Sequence, residues 1–176
     1  MKYLTLLRGI NVGGIKVPMA ELRIILSELP VKNVKTFLQT GNVSLESQLT
    51  INELKLEIEH ALSSRFKYNA HSLIFNFDTL ANIIDSFPFI KNRESHAYVI
   101  FCNSQETVNE LVSFKPLLSQ SIEDVLPGKE VVYWQVVKGS TSDSRFARVI
   151  AKRKYQACTT NRNINTLIKI SRISTA

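Results

Sequence analysis

The chain has 176 residues, 44% hydrophobic and 21% charged, with two cysteines and a net charge of +7. That length and balance fit one large domain or two small ones with a real core, and exclude a disordered chain or a disulfide framework. The apolar stretch near Leu4 is too short for a signal peptide or membrane span, and free thiols at Cys102 and Cys158 fit a reducing cytosol, so a cytoplasmic protein with no membrane partner is expected.

Lys2 to Arg8 reads as a strand, with Leu4, Leu6 and Leu7 apolar, and a glycine loop follows at Gly9-Ile10-Asn11-Val12-Gly13-Gly14. Pro18 suits the first position of a helix because it has no N–H to leave unpaired there. Met19, Leu22, Ile25, Leu26 and Leu29 repeat at helical spacing until Pro30. Val34 to Gln39 reads as a second strand, Thr40-Gly41 as a two-residue turn, and Asn42 to Glu46 as a third strand. Thr50 with Glu53 has the pattern of a capping box, opening a helix whose buried face is Ile51, Leu54, Ile58 and Leu62. Ser72 to Phe77 is a fourth strand. The order βαββαβ is that of a ferredoxin-like unit.

Asp78 is expected to cap a short helix carrying Leu80, Ile83 and Ile84, and the polar run after Phe87-Pro88-Phe89 reads as a junction. The order then repeats. Ala97 to Cys102 is a strand and Gln105 to Phe114 a helix; Ile122 to Val125 and Val131 to Val137 form a hairpin around Pro127-Gly128. Asp143 to Lys154 is a helix, Tyr155 to Cys158 a short strand, and Asn161 to Ser171 a last helix with Thr160 as its N-cap. The fold class is therefore α+β, with two ferredoxin-like (α/β plait) halves over residues 1–90 and 91–176 and an extra C-terminal helix.

The charge is unevenly placed. Residues 138–176 carry nine of the 22 basic residues and one of the 15 acidic ones, a net of +8, leaving the rest of the chain at −1. Such a local field favours an anionic partner, with nucleic acid among the candidates. On the helix from Asp143, Arg145, Arg148 and Lys152 fall on one stripe opposite Phe146, Val149 and Ile150, and Arg153 and Lys154 extend the charge. In the last helix Arg162 and Asn163 are expected in the first turn. A cation there opposes the helix dipole, a conflict that a bound anion would relieve.

A second candidate is the glycine loop, where the backbone is free to approach a ligand. Its spacing matches neither GxGxxG nor a Walker A loop, since Ile15 follows Gly14 and Val17 follows Lys16. In a ferredoxin-like unit the loop after the first strand and the turn after the second lie at one end of the sheet. Arg8, Asn11, Gly13, Gly14 and Lys16 would then face Gln39, Thr40 and Asn42, a set suited to a phosphate or carboxylate. No GxSxG elbow occurs, and no pair of carboxylates stands out. His60, His71 and His96 are scattered without metal spacing, and no cofactor motif is present.

Leu6-Leu7-Arg8-Gly9-Ile10-Asn11-Val12-Gly13-Gly14, followed by Lys16-Val17-Pro18-Met19-Ala20-Glu21-Leu22, resembles the opening of a widespread bacterial family, domain of unknown function 1697. Gln39-Thr40-Gly41-Asn42-Val43 resembles its second motif, which usually has Ser where Thr40 stands. Thr160-Asn161-Arg162-Asn163-Ile164-Asn165-Thr166-Leu167 resembles its closing motif, which usually has Trp where Ile164 stands, so an aromatic stacking role is not carried over to that position. The resemblance implies a cytosolic bacterial protein with a ferredoxin-like fold, and it brings no established activity. It marks Arg8, Asn11, Gly13, Gly14, Gln39, Gly41, Asn42, Thr160, Arg162, Asn163 and Thr166 as motif positions. Two functions stand open: a binding module for nucleic acid or another polyanion at the basic C-terminal segment, or a small-molecule enzyme or sensor holding an anionic metabolite at the glycine loop.

Overall fold

The computed structural model describes residues 1–11, 14–90 and 92–175. The chain divides into two compact units, Met1–Leu80 and Ala81–Ala176. The first contains β1 (Lys2–Arg8), α1 (Met19–Ser27), β2 (Val31–Phe37), β3 (Asn42–Ser47), α2 (Ile51–Phe66) and β4 (His71–Asn76); α3 (Phe77–Asp85) spans the division. Its sheet has the order β2-β3-β1-β4 with every neighbour antiparallel. This is the ferredoxin-like order.

Alternation on β1 turns Tyr3 and Leu7 toward the helices, where with Val43, Leu45 and Ile74 they meet Leu22, Ile25 and Leu26 of α1 and Leu54, Ile58 and Leu62 of α2. Full burial of each of these leucines and isoleucines contributes about 1.5–3 kcal/mol. The capping box on α2 is present: Thr50 accepts from the Glu53 N–H, and the Glu53 carboxylate accepts from the Thr50 N–H at 2.8 Å. Ile51, expected inside, is 39% exposed, because the first residue of a helix projects back beyond the turn that the core covers.

Three boundaries differ from the sequence reading. The second strand starts at Val31, ahead of Val34, because a register shift between Lys32 and Lys35, with Asn33 at φ +54°, breaks the alternation that marks a strand. The Thr40-Gly41 turn is a four-residue loop over 38–41, closed by the pair Phe37 and Asn42. Asn76, rather than Asp78, caps α3, its Oδ1 accepting from the Thr79 N–H at 2.7 Å.

The second unit repeats the plan. It contains β5 (Ser95–Cys102), α4 (Gln105–Val112), β6 (Glu123–Pro127), β7 (Val131–Val137), α5 (Arg145–Ile150), β8 (Thr159–Asn163) and α6 (Ile164–Thr175), with short 3-10 turns at Lys115–Leu117 and Arg153–Tyr155. The sheet order β6-β7-β5-β8 is the same permutation as in the first unit, again antiparallel throughout. Its core joins Ile100, Cys102, Val132, Trp134 and Val136 of the sheet to Val108, Leu111, Phe146, Val149 and Tyr155. The extra helix α6 lies against β5 and β8 and buries Ile164, Leu167 and Ile170.

Two expectations in this unit are corrected. The helix expected over Asp143 to Lys154 is six residues long, capped by Ser144, whose Oγ accepts from the Ala147 N–H at 2.9 Å. A continuous helix would carry Tyr155 about 180° around from Phe146, into solvent. Breaking it at Ala151 lets Tyr155 enter the core at 1% exposure. The last strand is Thr159–Asn163, not Tyr155 to Cys158, because the β-branched Thr159 and Thr160 pair with Cys102 and Phe101.

Candidate functional site

In the first unit the glycine loop and the β2–β3 turn do meet. Asn11 donates from Nδ2 to the Gln39 carbonyl at 2.9 Å, and its Oδ1 accepts from the Val17 N–H at 3.0 Å. The Leu7 N–H donates to the Gly41 carbonyl at 2.7 Å, so the end of β1 is tied to the same turn. Gly41 has φ +73°, and a Cβ there would stand 2.8 Å from Ile10 Cδ1 and 2.9 Å from Leu7 Cβ. No other residue fits without moving the loop.

These contacts also consume polar groups that the sequence offered to a ligand. Both ends of the Asn11 amide are engaged in the fold. Buried Asn42 donates to the Phe37 carbonyl at 3.2 Å and to Thr40 Oγ1 at 2.8 Å. Lys16, Gln39, Thr40 and Gly14 remain exposed at this end of the sheet, and Arg8 is half-buried at the end of β1. Gly13 lies outside the described residues. Tyr68 packs its ring 3.6 Å from where a Gly9 Cβ would stand, and its buried hydroxyl has no hydrogen-bond partner among the described residues. Burial first, then the charge of Glu59, pushes that phenol up to about 12.

Thr160, Arg162 and Asn163 belong to the second unit and sit on β8, not in a helical first turn. Thr160 lies opposite Phe101 and Arg162 opposite Val99, so both side chains point to the sheet face away from the core helices. Arg162 is 9% exposed; its guanidinium donates to Thr160 Oγ1 and to the Asn161 carbonyl, both at 2.7 Å. The proposed conflict between Arg162 and a helix dipole is therefore absent. Asn163 ends the strand, and its Oδ1 accepts from the Asn165 N–H at 2.9 Å as α6 begins.

Arg145 and Arg148 lie at i and i+3 on α5 and are exposed. Arg145 also donates to the Leu117 carbonyl at 2.9 Å. Lys152 is not on the helical stripe: its backbone is extended at φ −60°, ψ 143°, and its ammonium lies 5.3 Å from the centre of the Phe114 ring. Arg153 follows and is exposed. Lys154 pairs with Glu110, which also accepts from the Tyr155 hydroxyl at 3.0 Å. Hydrogen bonds from Lys154 and Tyr155 hold the Glu110 carboxyl below its ordinary range.

One residue that organises this segment escaped the sequence reading. Glu123, 4% exposed, accepts from Trp134 Nε1 at 3.2 Å and from Ser144 Oγ on one oxygen. Its other oxygen accepts from the N–H groups of Arg145 at 2.8 Å and Phe146 at 3.3 Å. It anchors the start of α5 to β6 and β7. A lone carboxylate at the head of a strand carries no local signal of burial, since its donors lie 11 to 23 residues away.

Among the described residues no group of three or more His, Cys, Asp or Glu is placed to hold a metal, and no helix is long and apolar enough to cross a membrane. Both cysteines are free.

The model of a family described as protein of unknown function (DUF1697) matches residues 1–133, and the chain belongs to that family. The matched span holds the glycine loop and the β2–β3 turn; Thr160–Asn163 lies beyond it. In three dimensions the chain is similar to the conserved bacterial protein SP0830 from Streptococcus pneumoniae, with 22% identity, a TM-score of 0.79, and coverage of 98% of this chain and 97% of that one. That likeness establishes the fold. The comparison with curated proteins returns no match.

Proposed function

We propose that this protein binds a polyanion through the exposed cations of α5 and the turn after it, Arg145, Arg148, Lys152 and Arg153. The supporting observation is that residues 138–176 net +8 against −1 for the rest of the chain. Among the described residues, moreover, neither Arg148 nor Arg153 forms an ion pair. Cations left unneutralised at this density attract a charged polymer more than they stabilise the fold. The two free cysteines support a reducing, cytoplasmic setting.

The test is fluorescence anisotropy of labelled heparin and a labelled mixed-sequence nucleic acid over a salt series. Affinity is expected to fall steeply with salt and to weaken in Arg148→Ala. A flat salt response sinks the reading.

The Asn11–Gln39 bridge favours one alternative, a small anion held between Lys16 and Thr40 at the end of the first sheet. It predicts saturable thermal stabilisation by phosphate- or carboxylate-bearing metabolites that is lost in Lys16→Ala.

A further inference from the structure

We propose that Cys102 and Cys158 form a redox-sensitive pair, which a peroxide closes into a reversible disulfide within the second unit. The two residues lie 56 positions apart in sequence and are brought together by the pairing of β5 with β8. Cys102 ends β5 opposite Thr159, the first residue of β8. Cys158 stands one residue earlier. Its carbonyl accepts from the Asn103 N–H at 2.9 Å, which carries the same register past the end of the strands. Neighbouring antiparallel strands lie about 5 Å apart and rise about 3.4 Å per residue, so diagonal neighbours have Cα atoms about 6 Å apart. A disulfide spans about 4.4–6.8 Å between Cα atoms.

Alternation along a strand would send diagonal side chains to opposite faces. Cys158 escapes it, because it lies between the 3-10 turn Arg153–Tyr155 and the start of β8. Its side chain packs against the same core cluster that contains Cys102. Each Sγ donates to a backbone carbonyl, Cys102 to Ile100 at 3.6 Å and Cys158 to Lys154 at 3.4 Å, and a thiol is too weak a donor for such bonds to hold either sulfur in place.

Exposure sets the order of reaction. Cys102 is 2% exposed, and burial holds its thiol up at about 12, so it does not meet an oxidant as a thiolate. Cys158 is half-buried and within reach of a small peroxide. Its thiolate attacks one peroxide oxygen; the O–O bond breaks, a sulfenic acid forms, and the departing hydroxide takes up a proton as water. The Cys102 sulfur then attacks the Cys158 sulfur; the S–O bond breaks, and the hydroxide leaves as water with the Cys102 proton. Two electrons pass from the pair to the peroxide, and a thiol reductant returns them. In a reducing compartment such a bond is a transient sensor rather than a structural staple. Closed, it fastens β8, an edge strand, to interior β5 and pins the end of the cationic turn.

The experiment treats the reduced full chain, in native buffer, with a small molar excess of hydrogen peroxide. Intact mass should fall by two hydrogens at a rate independent of protein concentration, with the product monomeric on a non-reducing gel and restored by dithiothreitol. Trp134 shares the core cluster of Cys102, so its fluorescence follows melting of this unit. The oxidised form should melt at least about 5 °C higher. Cys158→Ser should show no mass change. Cys102→Ala, with folding verified by the same fluorescence, should accumulate a sulfenic acid at Cys158 that dimedone traps. Disulfide-linked dimers, or added oxygen in place of hydrogen loss in the wild type, overturn the pairing, as does a mass that stays unchanged. Oxidation of Cys102 in Cys158→Ser overturns the order of attack.

Discussion

The Asn11 side chain and the Gln39 carbonyl, 28 positions apart in sequence, are joined by a 2.9 Å hydrogen bond that fastens the loop after β1 to the turn before β3. Asn11 also caps the Val17 N–H and holds φ +55°, a conformation asparagine tolerates better than most residues. Asn11→Ala should cost about 2–3 kcal/mol in urea unfolding, from two lost hydrogen bonds and a strained backbone. Asn11→Gly, free of the strain, should cost about 1 kcal/mol less. Equal losses in the two variants would show that the backbone angle contributes nothing.

Gly41 is the tightest point of the same assembly. Gly41→Ala sets a methyl 3.1 Å from the Leu7 carbonyl and closer still to two side chains, at a positive φ. A loss of more than about 2 kcal/mol is expected. Amide exchange at Leu7, whose N–H donates to Gly41, should accelerate. Unchanged protection there would mean that the turn absorbs the methyl by moving elsewhere.

Glu123 gathers four donors inside the second unit. Glu123→Ala strands them and should destabilise by about 3 kcal/mol or more. Glu123→Gln keeps the size but faces donors with an amide nitrogen, and an intermediate loss is expected. Trp134, the chain's single tryptophan, touches this carboxylate, so its fluorescence reports on the site directly. An emission spectrum unaltered in Glu123→Ala would argue against the contact.

The protein should weaken in alkali. Burial, with a smaller push from Cys158, holds the Cys102 thiol up at about 12 against an ordinary 9.0. Tyr68 is likewise raised to about 12 from 10.0. The unfolded chain releases these protons first, so the stability they carry is intact below pH 9 and is lost as pH rises from about 9 to 12. Tyr68→Phe should leave the melting temperature at pH 7 nearly unchanged, because the hydroxyl has no hydrogen-bond partner, and should flatten its decline above pH 10. A decline of undiminished slope in that variant would remove Tyr68 from the account.

Where periodicity and local chemistry agreed, the sequence was a sufficient guide. The alternation of β1, β3, β5 and β7, the Thr50–Glu53 box and the repeated βαββαβ order were all legible before the structure. So was the meeting of the glycine loop with the Gln39–Asn42 turn, which follows from strand order alone. Failures came where a distant partner decided a local choice. Tyr155 is drawn into the core and ends α5 early, leaving Lys152 off the helix. Thr160 and Arg162 pair with β5, so a segment that reads as a helix start is a strand. Glu123 is buried by groups that its own neighbourhood in sequence does not announce.

The shared strand order has a consequence during synthesis. In each unit the first strand made becomes an interior strand, and it stays half-paired until the fourth emerges. The first unit can close once β4 has left the ribosome, at Asn76. The second must wait for Thr159–Asn163, and until then the free edge of β5 displays Val99 through Cys102 to any passing strand. The cationic segment between β7 and β8 is the last stretch of chain delivered before that edge is sealed. Its mutual charge repulsion would hinder nascent chains from pairing with one another through the window of greatest exposure.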